Sequence, residues 1–145
     1  MTTAGPQLLD TRGRWRRVKG PVLLAGGLLG ASLLLHLRDP HRSGSWGGCP
    51  WLLVTGTYCP GCGGLRAVND LTHGQIGAAA SSNLLFVGSL PFVAFWWARS
   101  LVTRWRGTDR PVSTRQVLLP ALVFSASTVV FWVVRNLPVG AWLAP

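Results

Sequence analysis

The chain has 145 residues, 48% of them apolar and only 12% charged, with a formal net charge of +10 at pH 7. So little charge excludes an ordinary water-soluble domain of this size. There is no Glu, and Asp10, Asp39, Asp70 and Asp109 lie far apart in sequence, which leaves little for paired-carboxylate catalysis; no catalytic residue is expected. The basic residues flank apolar runs, so they point to lipid headgroups and membrane topology, not to nucleic acid.

Residues 1–20, with Arg12, Arg14, Arg16, Arg17 and Lys19, read as a mobile basic cytoplasmic arm. The run Pro21 to Leu37 that follows has no formal charge. Its length just suffices to cross roughly 30 Å of hydrocarbon at about 1.5 Å per residue. The next residues, His36 to Pro40, offer no small-x-small cleavage site, so an uncleaved span is expected rather than a signal peptide. Gly26, Gly27 and Gly30 give this span a face for close helix contact, within the chain first and with a membrane protein partner second.

The connection 38–80 is read as an outer loop. From Ser43 to Leu65 it carries no charge, but Pro50, Pro60 and frequent glycines argue against a continuous helix. The segment is expected to lie on the outer leaflet or dip into it. After Cys62, Leu65, Val68, Leu71 or Thr72, and Ile76 recur at helical spacing, predicting a short amphipathic surface helix that ends or bends at Gly74. Its polar face, Arg66, Asn69, Asp70 and His73, contains two i,i+4 pairs, Arg66 with Asp70 and Asn69 with His73. A solvated face is the expectation; a small-ligand or partner site is the alternative.

A second span is predicted at about 81–102, kinked at Pro91, and a third at about 116–135, with Pro120 near its start. Residues 21–145 thus form one all-α membrane domain. Arg99, Arg104, Arg106, Arg110 and Arg115 lie around the connection between these two spans. They place it with the amino terminus in the cytoplasm, and the cysteine loop and carboxyl terminus outside the cell membrane. Trp15, Trp96, Trp97 and Trp105 are expected at the cytoplasmic interface, and Trp46, Trp51, Trp132 and Trp142 at the outer one.

Within the loop, "TYCPGCGGLRA" places Cys59 and Cys62 at a helix start, and Cys49 precedes them by ten residues. Three readings stay open. Cys-Pro-x-Cys-Gly has the form of a zinc knuckle, and a four-ligand site on Cys49, Cys59 and Cys62 takes His41 as its best fourth donor. His73 lies about 16 Å from Cys62 along a straight helix, too far to join. A disulfide between Cys49 and Cys59 or Cys62 is the structural brace. A Cys59–Cys62 redox pair is the third reading, favoured by the helix amino terminus, which stabilises a thiolate. The working reading is a membrane scaffold or partner subunit with a braced loop. A thiol–disulfide or zinc-binding protein is the alternative.

The same stretch, "TGTYCPGCGGLRA", with Cys49-Pro50 upstream and "LTHGQIGAAASSN" downstream, resembles the bacterial domain of unknown function 2752 over roughly residues 49–91. Members are small multi-pass membrane proteins with a CPGCGG-x-RA signature. The chain departs from the pattern at Leu65, where Thr is frequent, and at Ser82-Asn83-Leu84, where Asn-Pro is frequent. The resemblance implies membrane placement and importance for Cys59, Cys62 and Arg66. It implies no reaction.

Overall fold

The structure is a computed structural model that describes residues 11–42, 44–108 and 113–144. Its elements are α1 (Thr11–Leu37), α2 (Pro50–Thr55), α3 (Gly64–Thr72), α4 (Ile76–Ser82), α5 (Leu84–Arg106), α6 (Thr114–Arg135) and a 3₁₀ helix (Pro138–Leu143). No strand occurs among the described residues. Three segments are long and apolar enough to cross a membrane: Gly13–Leu37, Leu84–Arg106 and Thr114–Arg135, with mean hydropathies of 1.7, 1.4 and 2.3. Their large apolar side chains, among them Leu29, Phe92 and Val123, point outward, as lipid-facing residues do. This is an all-α membrane protein.

The first span begins earlier than expected. Residues 11–20 form the first turns of α1, since Arg and Lys are good helix formers that outweigh Gly13 and Gly20, and no proline intervenes before Pro21. The remainder of the expected arm, residues 1–10, lies outside the described residues, as does Arg110. Pro21 is accommodated inside α1, and its carbonyl accepts the Trp97 indole N–H from α5 at 3.3 Å. Gly26, Gly27 and Gly30 have open space where a Cβ would be. That small-residue face therefore does not serve packing within the chain, contrary to the first expectation.

The second span starts at Leu84, because residues 76–82 form the separate α4 and Asn83 turns the chain between the two helices with an extended backbone. The Asn83 side chain caps α5 by accepting from the Phe86 N–H at 2.9 Å. Helix α6 starts on a capping box in which Ser113 and Gln116 satisfy each other's backbone N–H groups.

One end of the bundle is basic. Arg14, Arg16, Arg17 and Lys19 of α1 lie toward it with Arg104 and Arg106 of α5 and Arg115 of α6. Trp15 and Trp105 meet there edge to face at 6.0 Å. At the other end the carboxyl ends of α1 and α6 and the amino end of α5 converge on a cap made by residues 38–83. Trp51 and Trp132 meet at that end, 5.8 Å apart.

After the cysteine turn the cap contains two helices, α3 and α4, where one was expected. Gly74, with φ of 74°, breaks the run between α3 and α4; this left-handed backbone suits glycine. Helix α3 is also turned the opposite way from a helix on a soluble protein. Leu65 is exposed while Ala67, Asn69 and Asp70 are buried. In a bilayer that orientation is the favourable one: apolar side chains meet lipid and polar ones meet protein.

Candidate metal centre

Cys49 is the residue just before α2, with the backbone extended (φ −68°, ψ 118°), and Pro50 begins the helix. This aims the Cys49 thiol back toward the turn that precedes α3. There Cys62 N–H donates to the Cys59 carbonyl at 3.1 Å and Gly64 N–H to the Gly61 carbonyl at 3.0 Å. Gly63, at φ 82°, then enters α3 in a conformation that other residues rarely adopt. The outcome is a cluster of three sulfurs, all within 4.8 Å of one another. Cys49 Sγ lies 3.5 Å from Cys59 Sγ, and Cys59 Sγ lies 3.1 Å from Cys62 Sγ. All three are free thiols.

The three sulfurs differ electrostatically. Hydrogen bonding from the Leu52 backbone, and then from the Cys62 thiol, holds the Cys49 pKa below the ordinary thiol value. Burial, reinforced by its hydrogen bond with Cys59, pushes the Cys62 thiol up to about 12. The Cys59 backbone N–H also points at Cys62 Sγ, 3.3 Å away, the type of contact that supports a coordinating sulfur.

The turn is gripped from two spans. Arg135, at the end of α6, is only 1% exposed. Its Nη1 donates to the carbonyls of Cys59 at 2.9 Å and Cys62 at 3.2 Å, and its Nη2 to those of Cys62 at 3.2 Å and Leu143 at 3.1 Å. Its neighbour Asn136 pairs with the backbone of Tyr58, accepting from the N–H at 2.8 Å and donating to the carbonyl at 2.9 Å. From the head of α5, Asn83 Nδ2 donates to the carbonyls of Pro60 at 2.8 Å and Cys62 at 3.1 Å. Sequence reasoning missed all three residues as site residues. The only local signals were an Asn, Asn83, just before the second span and an Arg-Asn pair, Arg135-Asn136, where the third span ends.

Residues 49–97 match the family model of the protein of unknown function DUF2752. The DUF2752 segment thus holds all three cysteines, α2 to α4 and the first half of α5, while Arg135 and Asn136 lie outside it. Curated proteins and solved structures show no significant match to the chain.

The other expected site residues separate from the thiols. His41 is not a member of the cluster: its Nε2 is 2.9 Å from Asp70 Oδ1, and its backbone N–H donates to Asp39. Asp70 in turn accepts from the Ser82 hydroxyl at 2.9 Å. The expected Arg66–Asp70 pair is absent among the described residues, where the one ion pair is His41–Asp70. Asn69 does not face solvent; its amide donates to the Leu35 carbonyl at 2.7 Å and fastens α3 to α1. His73 pairs with the Asn69 carbonyl at 2.9 Å, not with the Asn69 side chain, and its ring stacks on His36 at 4.2 Å. The expected solvated face is therefore half a packing face. Asn69 and Asp70 tie the cap together, and Arg66 and His73 remain at its edge.

Proposed function

We propose that the protein is a small scaffold subunit of the cell membrane whose outer cap is braced by a zinc ion held on Cys49, Cys59 and Cys62. The observation that carries the reading is the mutual approach of three unbonded sulfurs within 4.8 Å. Tetrahedral zinc with Zn–S bonds of about 2.3 Å separates its sulfurs by about 3.8 Å, which sits inside the spacing of this cluster. An all-thiolate donor set is soft and selects zinc over magnesium or calcium. Such an ion ties the entrance of α2 to the entrance of α3. Three protein ligands leave the fourth position to a ligand from solvent or from a partner, since His41 is engaged with Asp70.

The gathering of basic side chains at the end opposite the cap supports a cytoplasmic amino terminus and an outward-facing cap. The unpacked glycine face of α1 supports a membrane partner. Protein purified in detergent without chelator is expected to carry about one zinc per chain, and to yield three thiols after denaturation in chelator. A second reading is supported by the 3.1 Å approach of Cys59 and Cys62: a thiol–disulfide pair. No metal and a single free thiol would establish the disulfide and overturn the zinc brace. A reductant that opened it without unfolding the protein would then point to redox cycling.

A further inference from the structure

Arg135 is a buried cation that, among the described residues, has no carboxylate partner. Its guanidinium is surrounded by carbonyl oxygens, by the Phe131 ring at 4.8 Å and by the Tyr58 ring at 5.7 Å, and its Nε has no partner. Carbonyl dipoles and ring faces solvate a cation without neutralising it, and an uncompensated buried charge is costly. Asp70, the buried carboxylate of the cap, is already engaged by His41 and Ser82. The anionic groups that a bound metal ion would create beside Arg135 are the thiolates of the two residues whose carbonyls it holds.

The charges then decide the composition of the site. A divalent ion on three thiolates has a net charge of minus one, and one guanidinium makes the whole assembly neutral, the least costly state for a desolvated site. A fourth thiolate would return it to minus one. We propose that Arg135 is the counter-charge of a trithiolate metal centre, and that the fourth coordination position is reserved for a neutral donor such as water or an imidazole. The inference rests on the metal reading above. It assigns α6 a part in the site that neither the cysteine spacing nor the hydrogen bonds to the turn require, since those bonds need donors but not a charge.

Arg135→Lys keeps the charge and loses the forked hydrogen bonds; Arg135→Gln keeps amide donors and loses the charge. Reduced wild type and both variants are titrated with Cd²⁺ in detergent, and the ultraviolet thiolate-to-cadmium band reports occupancy. The Lys variant is expected within about threefold of wild-type affinity, and the Gln variant at least about tenfold weaker, a floor well below the roughly thousandfold that one charge pair about 4 Å apart contributes at an effective dielectric near 20. Equal binding by the Gln variant, or an equal loss in the Lys variant, would overturn the counter-charge role while leaving the metal reading intact. Failure of wild type to bind Cd²⁺ would overturn both. Cobalt-loaded wild type, which needs no substitution to fold, provides a second readout. Its visible bands are expected to respond to neutral imidazole at about tenfold lower concentration than to anionic azide, and an equal response would refute the neutral fourth position.

Discussion

Asn83 is two-sided, and the two sides make different contributions that substitution can separate. It is 2% exposed. Its Oδ1 caps α5, and its Nδ2 holds the Pro60 and Cys62 carbonyls. Losing an N-cap costs about 1 kcal/mol, and each hydrogen bond to the turn contributes roughly 1 kcal/mol. Arg135 continues to satisfy the Cys62 carbonyl, so the second of these losses is softened. Asn83→Ala is therefore expected to destabilise the protein by about 2–3 kcal/mol. Asn83→Ser restores a good cap but cannot supply the amide donor, so it should recover only the cap and remain about 1–2 kcal/mol below wild type. Denaturant unfolding in mild detergent, followed by tryptophan fluorescence, measures both differences. Faster alkylation of Cys59 and Cys62 in the Ser variant is the accompanying sign that the turn has loosened. A Ser variant as stable as wild type, with unchanged thiol reactivity, would show that Asn83 is a cap and nothing more, and would refute its role in holding the turn.

The 3₁₀ helix after α6 packs so closely that a methyl group on Gly140 would overlap the Val134 carbonyl. That obstacle is backbone and cannot swing aside. Gly140→Ala should lower stability by about 1–3 kcal/mol, whereas Gly26→Ala, with open space around it, should be close to neutral; thermal melts of the two variants make the comparison. In reduced, metal-free protein the depressed Cys49 pKa and the Cys62 pKa of about 12 set an order of reaction. Peptide mass spectrometry after brief iodoacetamide treatment near pH 8 should find Cys49 labelled first and Cys62 last. The stability effect has a definite sign. The folded Cys62 thiol keeps its proton after the unfolded one, with a pKa of about 8.5, has lost it. Its contribution is full below about 8.5 and is lost as pH rises toward about 12. This decline should be missing from Cys62→Ser, and a wild type whose stability matched that of the Ser variant across the window would contradict the burial argument.

The spans were legible because a long uncharged run has few alternatives in a chain this apolar, and Cys59 and Cys62 were legible because Pro60, Gly61 and Gly63 constrain their spacing. Burial in the cap was not. Leu65 and Val68 correctly predicted a helix, although the stripe continued to Ile76 across the Gly74 break, but the rule that apolar faces turn inward belongs to water, and Leu65 is exposed while Asn69 and Asp70 are buried. The partner of Asp70 was mistaken because Arg66 is a neighbour on the same helix, while His41 reaches it from 29 residues upstream. Arg135 was the hardest to read. An arginine at the end of a span looks the same whether it snorkels toward the headgroups or turns inward onto carbonyls; only the fold of residues 58–62, placed against it, distinguishes the two.

The distance between the turn and its anchor also bears on biogenesis. Arg135 lies 76 residues beyond Cys59, so on a growing chain the cysteines leave the ribosome well before the side chain that clasps them exists outside it. Until the final helix has entered the bilayer, the thiols belong to a cap held only by α1 and α5. Any metal binding or oxidation that preceded entry of the last helix would meet thiols without the Arg135 clasp, and factors that delay that helix would prolong the interval in which they stand unprotected.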